Sequence, residues 1–263
     1  MHLKMLSVLM PFYNSEKSIE KAIDSILKQT FWDFSLYLID DCSEDNSLSI
    51  AENKKKKDSR IIIIKNVEKL GISKSLNAII PKLYTKYVAR MDADDYSYKE
   101  RFHDQINFLE SNQETDILGT NVDYFDIKGN FKSSSNLPLT DILIKKQLSK
   151  NNVLIHPSIM MKTKFLKEIK GYNNFFINAQ DYDLWLRARK KFNFTNLKKP
   201  LLRYQIIQKK SIKNDFYGIL ARLKNLSVDR YFLTQFFWIF ISLILIFLRR
   251  IGFKQSIFRK TIK

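Results

Sequence analysis

The first 110 residues alternate short apolar runs with stretches of helical periodicity, and this alternation most narrows the folds open to the chain. Residues 5–10 (MLSVLM), 35–40 (SLYLID), 60–65 (RIIIIK) and 87–91 (YVARM) read as buried strands. Residues 18–29, 47–56 and 72–80 lie between them and read as helices, with Ile19, Ile23, Ile26 and Leu27 on one face of the first. Pro11 stops the first run and Pro81 the third helix. A fourth helix is expected after SYKE, where Ser97 and Glu100 have the spacing of a capping box and Phe102, Ile106 and Leu109 share a face. Such alternation predicts a parallel sheet covered by helices on both faces, which binds ligands at the carboxyl ends of its strands.

The polar clusters PFYN, DDCSED and DADD lie at those ends. The last gathers Asp92, Asp94 and Asp95 in a chain of net charge +18. Three carboxylates this close repel one another unless something positive sits among them. Hard divalent cations such as Mg2+ or Mn2+ take oxygen ligands of this kind, with a phosphorylated substrate supplying the rest. A loop whose aspartates only cap backbone amides is the plainer reading. A calcium-binding EF-hand is excluded, because the sixth and twelfth positions counted from Asp92 hold Ser97 and His103 instead of Gly and Glu.

Beyond residue 110 the pattern is less regular. Residues 121–126 and 158–161 read as strands, and 181–191 as an amphipathic helix carrying Leu184, Trp185 and Ala188. From residue 206 to the end, twelve Lys or Arg stand against two acids, a net +10, which leaves +8 for the preceding 205 residues. A basic tail suits an anionic partner, although a Lys-rich composition throughout accounts for part of the excess. Within it, residues 231–248 (YFLTQFFWIFISLILIFL) would span about 27 Å as a helix, near the ~30 Å of a bilayer core. Thr234, Gln235 and Ser242 interrupt the run and Arg230, Arg249 and Arg250 flank it, so a helix lying in one leaflet is expected over a full span. A single cysteine, Cys42, allows no internal disulfide, and the three histidines have no zinc-type spacing.

Read in order, residues 8–47 (VLMPFYN through DDCSEDNS), Gly71 with SLN at 75–77, YVARMDADD at 87–95, HPSIM at 156–160 and AQDYDLWLR at 179–187 resemble the inverting family-2 glycosyltransferases. The likeness runs from about residue 6 to 204, and its most specific parts are the first block and RMDADD. It implies an α/β chain of the GT-A fold: a Rossmann-like, mostly parallel central sheet flanked by helices over residues 1–205, then a basic, apolar helical tail over 206–263 that associates with a membrane. It further implies that Pro11, Tyr13 and Glu16 meet the nucleotide of a nucleotide-sugar, and that Asp41 accepts a hydrogen bond from a base such as uracil or thymine. Asp92 and Asp94 match the DxD pair that holds Mn2+ or Mg2+, with Asp94 the direct ligand and Asp92 facing the ribose or sugar phosphate. Asp181 matches the catalytic base. Lys74 is a candidate for the diphosphate, Arg90 for the diphosphate or as a partner of the DxD acids, and His156 for the sugar or acceptor. Asp40, Trp185 and Arg187 read as structural.

The chain departs from the family at two points. Cys42 stands where glycine is usual, which suggests a looser turn after Asp41. Gln180 stands where glutamate is usual, which removes a charge beside Asp181 and lowers its expected pKa relative to a Glu-Asp pair. The expected activity is transfer of a sugar from a UDP- or dTDP-linked donor to a hydroxyl of a glycan or lipid-linked acceptor. The expected setting is the inner face of the plasma membrane, in surface-glycan assembly and without nucleic acid. A nucleotidyltransferase using the same acids, and a non-enzymatic basic protein binding membrane or nucleic acid, are the alternatives. The first lacks a Gly-rich basic loop near the N-terminus, and the second gives the acids no purpose.

Overall fold

Strand β1 (Leu6–Phe12) sends Leu6, Val8, Met10 and Phe12 into one apolar cluster and Leu9 into another, so both its faces are buried, as a central parallel strand requires. The computed structural model describes residues 4–206, 212–226 and 231–250. β1 pairs in parallel with β2 (Phe34–Asp40) on one side and β4 (Tyr87–Arg90) on the other, and β2 pairs in parallel with β3 (Ile61–Lys65). Helices α1 (Ile19–Leu27) and α2 (Ser47–Lys55) cover one face, and α3 (Ile72–Ile79) the opposite one. Ile19, Ile23 and Ile26 of α1 are fully buried, each contributing about 1.5–3 kcal/mol of apolar burial.

The second half brings β5 (Tyr96–Ser97), α4 (Arg101–Ser111), β6 (Ile117–Phe125), β7 (Phe131–Ser134), α5 (Asp141–Leu148), β8 (Met160–Lys162), α6 (Thr163–Glu168), α7 (Gln180–Ala188) and β9 (Phe194–Gln205). The nine described strands form one sheet in the order β3-β2-β1-β4-β8-β6-β9-β5, with β7 paired to β6. The expectation of a mostly parallel sheet holds for β1 to β4 and for the β6–β9 pair, which is also parallel. β8 runs antiparallel to both β4 and β6, β7 to β6, and β5 to β9, so the sheet is mixed. β6 and β7 are joined by a tight hairpin with Gly129 at φ +84°, a connection that needs no crossover helix.

The capping box at Ser97 does not form. Ser97 lies in β5, where its N–H donates to Ser25 Oγ and its hydroxyl accepts from Gln29. Gln29 Oε1 takes the Phe102 N–H in the first turn of α4, the task the sequence assigned to a local side chain. The predicted apolar face of α4 is correct: Phe102, Ile106 and Leu109 are all buried.

Beyond β9, helix α8 (Ile212–Lys224) sets Ala221 into the cluster that holds Leu184 and Trp185 of α7, and α9 (Phe232–Arg250) packs along α8. Arg222 ties the pair by donating to the Trp238 carbonyl and to Ser242 Oγ. Among the described residues, no helix is long and apolar enough to cross a membrane. The cations of residues 251–263 lie outside the described residues.

Candidate active site

The acid cluster sits where β4 ends. Arg90, 1% exposed, closes β4, pairs with Asp92 and donates to the Leu9 and Met91 carbonyls. Arg101, fully buried on α4, donates to the Arg90 and Ile159 carbonyls. Two buried guanidinium groups therefore lie beneath the loop and supply part of the positive charge that three close acids require. One ligand oxygen from each of Asp92, Asp94 and Asp95 can be chosen so that all lie within 4.8 Å of one another. Asp95 Oδ1 accepts the Gln205 N–H at 2.9 Å, while its buried Oδ2 has no partner. Burial, then Asp92, pushes the Asp94 carboxyl up; burial, then Asp92 and Asp94, pushes Asp95 well up. An all-oxygen cluster with an orphaned buried oxygen and mutual repulsion fits a hard divalent cation, with Asp92 and Asp94 as the residues that would hold it.

Asp92 and Asp94 form one wall of a cavity of about 440 Å3 whose other walls include Pro11, Tyr13 and Glu16. The turn after β1 is held across to the turn after β2: the Asn14 N–H donates to Ser43 Oγ, Asn14 Oδ1 accepts the Glu44 N–H, and Glu16 accepts from the backbone and side-chain amides of Asn46. The Lys69 ammonium lies 3.4 Å from the Tyr13 ring centroid, a cation–π contact at the rim.

Asp41, the residue after β2, is buried and lines neither this cavity nor the other two. It accepts hydrogen bonds from Asn66 Nδ2, the Leu70 and Gly71 amides and the Ser75 hydroxyl, and so fixes the start of α3 against β2. Burial works to raise its pKa, but these donors outweigh it and hold the carboxyl below its usual value. Oδ2 takes only the Gly71 amide, which leaves it acceptor capacity. Cys42 adopts φ +66°, so the turn is as tight as a glycine would make it, and the looser turn expected from the substitution is not found. Asp40 accepts the Ser43 N–H, a structural role.

A second cavity, of about 520 Å3, is lined by Asp92, Asn152, His156, Asp181 and Tyr204. Asp92 thus borders both. Asp181 stands in the first turn of α7, behind Ala179, whose backbone is left-handed at φ 58°. Its Oδ1 accepts the Tyr182 N–H at 2.8 Å and its Oδ2 the Asn152 amide at 2.7 Å. Burial pushes its carboxyl above the usual range against the pull of these two donors, and Asp92 adds to the push. His156 bonds the Tyr172 hydroxyl through Nε2 at 2.8 Å and packs edge-on against Trp185. Burial, with Arg90 nearby, holds its imidazole well below the usual value, so the ring is neutral.

Seven of the sequence-selected residues thus meet at two adjoining cavities: Pro11, Tyr13, Glu16, Asp92, Asp94, His156 and Asp181. Arg90 is buried and acts on the cavity through Asp92, and exposed Lys74 on α3 lines neither cavity. Trp185 is core, and Arg187 pairs with Asp183. Asn152, Asn66, Lys69 and Tyr204 were missed. Only Asn152, a polar residue just before the HPSIM segment, carried a sequence signal.

This curled, mixed α/β sheet with an acid cluster at the carboxyl end of its fourth strand is the architecture of the GT-A glycosyltransferases. Residues 7–170 match the Glycosyl transferase family 2 domain, and the chain belongs to that family. It is 33% identical over 238 residues to an uncharacterized glycosyltransferase of Methanocaldococcus jannaschii, covering 89% of this chain and 79% of that protein. It is 33% identical over 221 residues to the O-antigen biosynthesis glycosyltransferase WbnJ of Escherichia coli, covering 81% of this chain and 84% of that one. Its fold is similar to that of S. aureus TarS 1-349 in complex with UDP-GlcNAc, with a TM-score of 0.68 at 21% identity over 98% of this chain and 76% of that chain. The chain spans 46% of a longer TarS structure. The mannosyltransferase PcManGT of Pyrobaculum calidifontis, in complex with GDP-Man and Mn2+, matches with a TM-score of 0.69 at 12% identity, covering 94% of this chain and 71% of that one. The protein is a glycosyltransferase.

Proposed function

We propose that the protein transfers a sugar, with inversion, from a UDP- or dTDP-linked donor to a hydroxyl of a glycan or lipid-linked acceptor. The observation that carries this reading is the position of Asp92 between the cavity walled by Pro11, Tyr13 and Glu16 and the cavity that holds Asp181. The first takes the donor nucleotide, with spare acceptor capacity on Asp41 suited to the N–H of a pyrimidine base. The second takes the sugar and the incoming hydroxyl. Asp92 and Asp94 hold Mn2+ or Mg2+, which when bound offsets the charge of the diphosphate leaving group. Asp181 takes the proton of the acceptor hydroxyl as that oxygen attacks the anomeric carbon, and a carboxyl raised by burial is a stronger base than an exposed one. His156, neutral and on the wall of the same cavity, is placed to contact the sugar or acceptor. The names of WbnJ and of the amylovoran biosynthesis glycosyltransferase AmsE of Erwinia amylovora support a surface polysaccharide as the product. Product analysis separates this chemistry from nucleotidyl transfer: incubation with UDP-sugars and Mn2+ releases UDP here, whereas release of pyrophosphate would refute the reading.

The tail, residues 206–263, places the enzyme on the inner face of the plasma membrane. Leu233, Phe236, Phe237, Phe240, Leu243 and Ile244 are exposed at spacings that put them on one face of α9, while Gln235 and Ile239 are buried on the other. A net charge of +10 across the tail complements an acidic lipid surface, and an apolar helix face between cations suits insertion into one leaflet.

A further inference from the structure

A third cavity, of about 440 Å3, shares no lining residue with the cavity that holds Asp181. Its walls come from the start of α1 (Lys17, Ser18, Lys21), the loop at Asp94 and Asp95, the β6–β7 turn (Lys128) and the end of β9 (Arg203). It shares Lys17, Ser18 and Asp94 with the donor cavity and reaches neither Asp92 nor Asp181. Lys17, Lys21 and Lys128 are exposed, and none has a side-chain ion-pair partner among the described residues. Arg203 is fixed: its guanidinium stacks 3.8 Å from the Phe125 ring centroid and donates to the Gly129 carbonyl at 2.9 Å. The N-cap Ser18 makes no side-chain cap bond, so the positive end of α1 is not quenched locally, and Lys54 draws the Glu20 charge away at 3.0 Å.

The acids of the same cavity are largely spent. Asp126 pairs with Lys132 at 2.7 Å and accepts the Lys128 and Asn130 amides. Asp95 is buried against the Gln205 amide. Asp94 is shared with the donor cavity, where a divalent cation would offset it. Four cations from three separate segments therefore converge on one open hollow beside the donor.

We propose that this cavity is a second anion subsite, beside the donor's own, which takes a phosphate group of a molecule other than the donor. Three lysine ammonium groups free to reorient, beside one fixed guanidinium, suit a tetrahedral oxyanion better than a single planar carboxylate. The inference rests on the reading of the neighbouring cavity as the donor's.

The test titrates inorganic phosphate and glycerol phosphate into the full chain with Mg2+, with and without saturating UDP, and follows binding by calorimetry. The expected result is phosphate binding that persists with UDP present, weakens at least tenfold in a Lys21→Gln/Lys128→Gln variant and is unchanged in a Lys55→Gln/Lys56→Gln control of equal charge loss. Absence of binding, competition with UDP, or equal binding by the Lys21→Gln/Lys128→Gln variant would overturn it. Failure of UDP itself to bind counts against the donor cavity, and the phosphate titration without UDP still decides the subsite. Where the subsite holds, a matching loss of affinity for phosphatidylglycerol vesicles assigns the phosphate to a lipid headgroup. Unchanged vesicle affinity assigns it to a soluble or polymeric phosphate.

Discussion

The side-chain amide of Asn152 donates to Asp181 Oδ2 at 2.7 Å, and Asn152 Oδ1 in turn accepts the Leu154 N–H at 3.2 Å. The second bond fixes which end of the amide faces the carboxylate. Asn152 thus stabilises the ionised form of the proposed base in a setting where burial and Asp92 oppose ionisation.

This geometry predicts a pH effect. The base works only when ionised, and its raised pKa places the acid limb of kcat/KM above the usual carboxylate range. Asn152→Leu removes a donor to the charged form, so the pKa rises further and the limb moves to higher pH. His156 and Tyr204 also line this site, with Tyr172 bonded behind His156, and the imidazole is held neutral. A pH–rate profile of donor hydrolysis checks the shift; a limb that stays in place in the variant contradicts it. The same linkage has a stability consequence. With the folded pKa above the unfolded one, stability from this group is present at low pH and lost as pH rises through the folded pKa. Asp181→Asn therefore raises Tm at neutral pH, and a lower Tm would show that the ionised carboxylate stabilises the fold.

Cys42 holds a left-handed conformation at φ +66°. That conformation costs an L-residue about 1–2 kcal/mol, while glycine gives back about 0.5–1 kcal/mol through its freer unfolded chain. Cys42→Gly should stabilise the protein by up to about 1 kcal/mol, or roughly 2–4 °C in Tm for a domain of this size. A fall in Tm would mean that the thiol packs favourably enough to cover the strain.

Much of the first half was legible because its central strands are buried on both faces: continuous apolar runs such as MLSVLM leave little choice, and α1 and α3 each declare an apolar side. The second half hides its strands. β9 runs twelve residues but carries Lys198, Lys199 and Pro200 at a break in register opposite β6, so its apolar alternation is interrupted and no strand was expected there. Ser97 and Glu100 had the right spacing for a cap, yet long-range bonds to Ser25 and Gln29 claimed Ser97. The site divides in the same way. Asp92, Asp94 and Asp181 sit in recognisable segments, whereas Tyr204 reaches the second cavity and Lys69 the Tyr13 ring only through chain folding.

The outer face of α9 offers a separate test. Phe236→Ser/Phe240→Ser removes two exposed aromatic side chains, each worth about 1.5–3 kcal/mol on burial in lipid. Co-sedimentation with phosphatidylglycerol vesicles should weaken by two orders of magnitude or more, and binding of the parent protein should decline with salt. Equal sedimentation of parent and variant would remove the membrane from the account.

The central claim, that Asp92 and Asp94 serve the donor while Asp181 serves the acceptor, is tested most directly by measuring UDP release and UDP-sugar binding together, with Mn2+, in the wild type, Asp94→Ala and Asp181→Ala. The account predicts that Asp94→Ala loses metal-dependent donor binding and about 10²–10³-fold in turnover. Asp181→Ala should keep donor binding and lose about 10²–10⁴-fold in turnover. Full turnover in both variants, or loss of donor binding on removing Asp181 alone, would contradict it.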